Sequence, residues 1–199
     1  MKKILIFALL GLAAAGVQAE RADVSKQAVI LWSTMHVDDV ARTTVLAGDV
    51  VVTKGTLVLN AEKALVKQTP EEDIMVTLTA APGKKATFRQ KRDGGPDLWI
   101  EGEAQRIEYD ERAAVMKLFG AAKIRQTEGG RLENEIQGEF ISYDSLREKF
   151  DAHNESAGGS KVGGSRGMMI IAPRKPRPAA PAVQTPAAPA APVTPTGAP

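Results

Sequence analysis

The sequence predicts an all-β protein with a single folded domain, on three observations. The stretch Leu46-Ala47-Gly48-Asp49-Val50-Val51-Val52-Thr53-Lys54-Gly55-Thr56-Leu57-Val58-Leu59-Asn60-Ala61 sets two β-rich runs, 50–53 and 56–60, around Lys54-Gly55. Glycine supplies the positive φ that a tight hairpin needs. Turn signals then recur every eight to twelve residues: Asp38-Asp39, Lys54-Gly55, Pro70-Glu71, Pro82-Gly83, Asp93-Gly94-Gly95-Pro96, Asp110-Glu111 and Glu128-Gly129-Gly130. Finally, apolar side chains alternate with polar ones, as in Val50 and Val52, Leu57 and Leu59, Val76 and Leu78, Ile107 and Tyr109, and Ile141 and Tyr143. Alternation between closely spaced turns describes a sandwich or barrel-like sheet with one apolar face.

The N-terminus reads as a secretory signal peptide, residues 1–19. Lys2 and Lys3 are its charged start, residues 4–15 its apolar run, and Val17-Gln18-Ala19 a small-residue cleavage site ahead of Glu20. A run of this length falls short of the roughly 20 residues that span a bilayer. The domain follows over residues 20–155. Within it, residues 101–118 have helical propensity through Glu103, Ala104, Arg106, Glu111, Ala113, Ala114, Met116 and Leu118. Internal similarity decides for strands: Ile107-Glu108-Tyr109-Asp110 matches Ile141-Ser142-Tyr143-Asp144, 34 residues on, and each is followed by a polar turn and an apolar close. A short helix is the alternative there.

Beyond the domain, residues 156–171, with Gly158-Gly159 and Gly163-Gly164, read as a Gly-rich linker or as a last weak strand that carries the domain to 172. Residues 172–199 hold 9 prolines and 9 alanines and almost no large apolar side chain. Such a tail cannot bury enough surface to offset the entropy of ordering it, so disorder with polyproline character is expected.

Charge and chemistry narrow the function. Without Lys2 and Lys3 the chain is formally neutral, with +5 on the segment from Ser156 onward and −5 on residues 20–155. A net-acidic folded part argues against nucleic acid as a partner. The absence of cysteine removes disulfides, a thiol nucleophile, cysteine-based metal sites and a lipoprotein anchor. His36 and His153 have neither each other nor a further ligand at metal-site spacing. Nucleophile-elbow and P-loop motifs are missing. Asp38-Asp39 and Glu71-Glu72-Asp73 lie in expected turns, where solvated carboxylates are ordinary. The inventory points away from an enzyme and calls for no cofactor. What is left is an apolar β-surface, which is either a packed core or a groove for an apolar ligand.

The residues also carry a resemblance. Leu46-Ala47-Gly48-Asp49-Val50-x-Val52-Thr53-x-Gly55-Thr56-Leu57-x-Leu59-Asn60-Ala61-Glu62 resembles the repeat of the OstA-like family of periplasmic lipopolysaccharide-transport proteins. Met35-His36-Val37-Asp38, Lys85-Ala86-Thr87-Phe88, Ile100-Glu101-Gly102-Glu103-Ala104, Ile107-Glu108-Tyr109 and Leu118-Phe119-Gly120 extend it over about residues 28–151. Two departures stand out. Gln27-Ala28-Val29-Ile30-Leu31-Trp32-Ser33 replaces the family's Pro-Ile-x-Ile-x-Ala-Asp opening, and Ala121-Ala122 replaces Asn-Val after the last repeat's glycine.

The resemblance implies a twisted β-jellyroll of stacked antiparallel strands in the periplasm. Its apolar trough would shield lipopolysaccharide acyl chains between inner and outer membrane. Its ends would pair with like-folded inner- and outer-membrane components of the export machinery and with further copies of the chain. By alternation and by match to the family, Ile30, Leu46, Val50, Val52, Leu57, Leu59, Phe88, Ile107, Tyr109, Leu118, Ile124, Ile141 and Tyr143 are the expected trough lining. Physical chemistry agrees with such a cargo: an acyl chain of about 12 carbons costs on the order of 10 kcal/mol in water, which an apolar surface removes. The competing expectation is a periplasmic structural or interaction domain whose inward face is only core.

Overall fold

The computed structural model describes residues 23, 25–95, 97–154 and 166–173. The expected signal peptide, most of the Gly-rich segment and the Pro/Ala-rich stretch beyond residue 173 lie outside the described residues. Twelve strands form one antiparallel sheet: β1 (Ala28–Leu31), β2 (Thr34–Asp38), β3 (Thr43–Lys54), β4 (Leu57–Gln68), β5 (Ile74–Thr79), β6 (Ala86–Lys91), β7 (Leu98–Ala104), β8 (Arg106–Asp110), β9 (Val115–Glu128), β10 (Arg131–Asp144), β11 (Lys149–His153) and β12 (Met168–Ile171). Residues 101–118 run through β7, β8, the β8–β9 turn and the start of β9, with no helix among them. The last of the described strands is β12, which pairs with β10.

The sheet doubles over into two layers because four strands are long and bent. The first half of β3 pairs with β2 and with the second half of β4, whereas its second half pairs with β1 and the first half of β4. β9 and β10 repeat this division. One layer therefore runs β2-β3-β4-β5-β8-β9-β10-β11, and the other runs β1-β3-β4-β6-β7-β9-β10-β12.

Each bend has a local cause. Pairing jumps from Ala47↔Lys63 to Val50↔Ala61, so Gly48 and Asp49 face the single residue Glu62, with φ of +81° and +46°. Gly120 and Ala121, at +79° and +44°, face Glu139 in the same way. Two successive left-handed residues make a bulge that turns the strand sharply, and glycine takes that conformation without a Cβ penalty.

All bends lie along one side of the molecule. The β5–β6 and β7–β8 connections pass there too, tied by Ala80 N donating to Gln105 O and Gln105 N donating to Gly120 O. This side is a continuous backbone spine. On the opposite side every described hairpin turns back within its own layer, at Lys54–Leu57, Lys91–Leu98 and Glu128–Arg131 in one and at Asp38–Thr43, Gln68–Ile74, Asp110–Val115 and Asp144–Lys149 in the other. Three of these turns share one device: Asp38, Asp110 and Asp144 each accept a bond from the backbone N–H three residues on, at 2.8, 2.9 and 2.9 Å. A left-handed Arg42, Ala114 or Glu148 then closes the turn. The layers thus meet like the leaves of a book, joined at the spine and separate at an open edge.

Candidate functional site

The space between the layers is the candidate site. Twelve of the expected lining residues are buried in one apolar cluster: Leu46, Val50, Val52, Leu57, Leu59, Phe88, Ile107, Tyr109, Leu118, Ile124, Ile141 and Tyr143. Ile30, on edge strand β1, is half-buried and packs against that cluster. The residues between them on each strand face outward, which is the alternation of a pleated strand. Both a core and a lipid groove require this burial.

Ala64, Leu78, Ile100, Ala104 and Met116 share the same interior and are not among the expected lining residues, although Leu78 belongs to the alternation read from the sequence. Ala64 and Met116 carried readable signals, namely alternation on β4 beyond its bend and on β9 ahead of its own. Phe88 lies opposite Gly102, and its ring covers the place where a side chain would stand: a Cβ on Gly102 would sit 2.1 Å from Phe88 Cε1. Trp32, by contrast, is 44 % exposed between β1 and β2 and lines nothing in the interior.

The open edge carries a row of polar groups. Lys54, at the tip of β3, pairs with Glu111, from the β8–β9 turn of the other layer. Arg92, after β6, reaches Glu133 at 3.3 Å within its own layer and Glu148, in the β10–β11 turn of the facing layer, at 3.8 Å. Arg92 Nε is buried without a hydrogen-bond partner. Asp23, from the segment ahead of β1, is buried at the same edge. Its carboxylate accepts from Thr56 N at 2.8 Å, Thr56 Oγ1 at 2.6 Å and Gln90 Nε2 at 3.1 Å. Gly55 permits that approach, because a Cβ there would lie 1.9 Å from Asp23 Oδ1. Burial, followed by the Glu111, Asp23 and Asp110 carboxylates, pushes the Tyr109 phenol up to about 12. Local sequence gave little sign of this edge, whose members are distant in the chain.

No titratable constellation suited to catalysis forms among these groups. Among the described residues no cluster of His, Asp and Glu is arranged to hold a metal ion. His36 lies on exposed β2, and His153 stacks on Phe140 with ring centroids 6.0 Å apart. Outside the layers, Thr87, Arg89, Glu101, Glu103, Lys123 and Arg125 line a shallow charged groove in which Arg89 pairs with Glu101 at 3.0 Å and Lys123 with Glu103 at 3.2 Å. These are ion pairs of a solvated sheet face.

At each end of the stack the sheet stops on apolar strands. Val29, Leu31, Met35 and Val37 are exposed on β1 and β2, and Met168, Met169, Ile170 and Ile171 on β12. Edges of this length and character are ordinarily templates for pairing with another strand.

Comparison with known proteins places these features in context. Residues 32–149 match the family described as LptA/(LptD N-terminal domain) LPS transport protein. The chain is 26 % identical over 171 residues to the lipopolysaccharide export system protein LptA of Haemophilus influenzae, covering 86 % of this chain and 91 % of that one. It is 33 % identical over 142 residues to the lipopolysaccharide export system protein LptH of Pseudomonas aeruginosa, covering 70 % and 75 %. The crystal structure of LptH, described as the LptA homologous periplasmic component of a lipopolysaccharide transport device, superposes with a TM-score of 0.64 at 25 % identity, over 76 % of this chain and 99 % of that one.

Proposed function

Since the chain belongs to the family of LptA and LptD N-terminal-domain lipopolysaccharide transport proteins, we propose that it binds lipopolysaccharide in the periplasm and shields the acyl chains between its two layers on the way to the outer membrane. One observation carries the reading: the apolar interior is continuous from β1 to β11, yet backbone joins its walls along the spine alone among the described residues. Such walls can part along the open edge while keeping every strand pairing. The contacts offered to an acyl chain are apolar and non-directional, so cargo is held without any bond that transport would have to break. The similar proteins are transport components, which implies a role other than catalysis.

The finer parts of the reading concern partners. The exposed strands β1 and β2 at one end and β11 and β12 at the other suit β-augmentation, in which backbone hydrogen bonds join like-folded domains end to end. Membrane-embedded components with such domains would dock at the outermost ends, and further copies of this chain between them.

Photocrosslinking residues at Phe88 and Tyr109, which face the interior, should capture labelled lipopolysaccharide. The same probes at Thr87, on the outer charged groove, and at Glu108, which pairs outside with Arg106 at 3.4 Å, should not. Equal capture at all four positions would defeat the assignment of cargo to the interior and leave the rival of a packed core.

A further inference from the structure

The interior is closed: Phe88, Ile107, Leu118, Ile141 and Tyr143 are at most 1 % exposed. Cargo therefore needs a way in, and the open edge offers one along the whole length of the interior. Along the spine the layers share the backbone of β3, β4, β9 and β10, whereas along the opposite side the hairpin tips face one another as separate turns. Two ion pairs cross that gap. Lys54 in one layer meets Glu111 in the other, with side chains 10 % and 25 % exposed. Arg92 meets Glu148 in the other layer, with side chains 13 % and 44 % exposed.

We propose that the Lys54–Glu111 and Arg92–Glu148 pairs are latches that hold the open edge shut, and that an acyl chain reaches the interior by parting them. The inference rests on the reading of a lipid cargo. In each pair the cation belongs to the layer of β6 and β7, and the carboxylate to a turn of the facing layer. Parting the leaves thus carries both acids away together and leaves both cations at the mouth. An amphiphile whose acyl chains enter by this edge keeps its headgroup outside it, beside Lys54 and Arg92. An anionic headgroup, such as a phosphorylated one, can then take the place of the departing carboxylates, with arginine offering its fork of donors and lysine a point charge. Arg92 already holds one buried donor, Nε, without a hydrogen-bond partner. The exchange gives Lys54 a new partner when the edge opens and gives Arg92, which keeps Glu133 of its own layer, a replacement for Glu148, so loading does not strand the buried Lys54 charge.

The absence of cysteine makes a direct test possible. In the mature chain, Lys54→Cys with Glu111→Cys is bridged by a short bis-maleimide containing a reducible disulfide. A bridge between Ala80→Cys and Gln105→Cys, on the spine, is the control. Capture of labelled lipopolysaccharide by the edge-bridged protein should fall at least about tenfold and return on reduction, with the spine-bridged protein unaffected. A second variant works in the other direction: Glu111→Gln with Glu148→Gln should raise the rate of capture severalfold. Equal capture by edge-bridged and reduced protein, or equal loss on bridging the spine, would overturn the latch. Failure of the reduced and unsubstituted proteins alike to capture lipid would instead remove the lipid reading itself, and the latch with it.

Discussion

Filling the space over Gly102 probes the interior most directly. Gly102 stands opposite Phe88 on adjacent strands, and the Phe88 side chain is 1 % exposed. In Gly102→Ala the new methyl would lie 2.1 Å from Phe88 Cε1, 2.8 Å from Cδ1 and 2.9 Å from Cζ. Carbon atoms in contact stand about 3.5–4.0 Å apart, so the ring must move by more than about 1 Å within a filled core. Overpacking of that kind costs about 1–3 kcal/mol, partly offset by the smaller unfolded-state entropy of alanine, roughly 0.4–1 kcal/mol. A net loss of about 1–2 kcal/mol is expected. Phe88→Ala alone should cost about 3–5 kcal/mol, from lost burial and the cavity left behind. With the ring gone the methyl is relieved of its three nearest contacts, all of them Phe88 atoms, so the double variant should be about 1–2 kcal/mol more stable than the summed single losses predict. Urea unfolding followed by the fluorescence of Trp99, which sits on β7 beneath the Arg89 guanidinium at 3.9 Å, measures all four corners of the cycle. Additivity to within about 0.5 kcal/mol would refute the claim that Phe88 packs onto the bare backbone of Gly102.

Two further predictions concern the edge and the ends. Because the folded protein holds the Tyr109 phenol at about 12, above its ordinary 10.0, its contribution to stability is complete below pH 10 and disappears between pH 10 and 12, a loss of about 2–3 kcal/mol. Ultraviolet titration in a Tyr143→Phe background should show that raised value, and Glu111→Gln should lower it; an unchanged value would remove Glu111 from the list of causes. At the ends, Met35→Lys with Val37→Lys on β2, or Met169→Lys with Ile171→Lys on β12, should each stop self-association at one end, whereas a mixture of the two variants should give dimers and nothing longer. Sedimentation velocity would show it, and an extended series from either variant alone would exclude a head-to-tail join through these strands.

Much of the fold was legible because strands and turns declare themselves locally. Lys54-Gly55, Pro82-Gly83, Asp110-Glu111 and Gly129-Gly130 all fall in or begin turns, and the apolar partners Leu57 and Leu59, or Ile141 and Tyr143, share one face. The repeated Ile-x-Tyr-Asp pattern outweighed the helical propensity of residues 101–118, since both copies end a strand in an aspartate-capped turn. The bends by which single strands pass from one layer to the other were not legible, for a specific reason. Leu46 and Val50 are both buried on either side of Gly48-Asp49, as are Leu118 and Ala122 around Gly120-Ala121. The bulge and the change of layer compensate one another, so the apolar spacing stays even and the bent strand reads as a straight one. The evidence of the bend sits on the partner strand, where inward positions shift from Leu57 and Leu59 to Ala64 and Val66. The edge was hidden more deeply: Asp23 joins Gln90 across 67 residues of sequence and Lys54 joins Glu111 across 57, and no local pattern marks such pairs.

A closed interior and a transport role are compatible because of how the two sides of the fold are built. When the leaves part, side-chain contacts between the layers give way to contacts with methylene groups. Hydrophobic burial depends on area rather than on which apolar group supplies it, so the interior term is nearly balanced. The terms that remain are the polar ties of the open edge and the deformation of the spine. The spine places its bends at Gly48-Asp49 and Gly120-Ala121, where parting the leaves would concentrate the deformation and leave the ladders on either side paired. The resting position of the leaves is then set by a few charged groups at the mouth, where an anionic headgroup would lie. In this arrangement the apolar wall supplies capacity, and the choice of what is admitted lies with Lys54, Arg92 and the carboxylates that hold them.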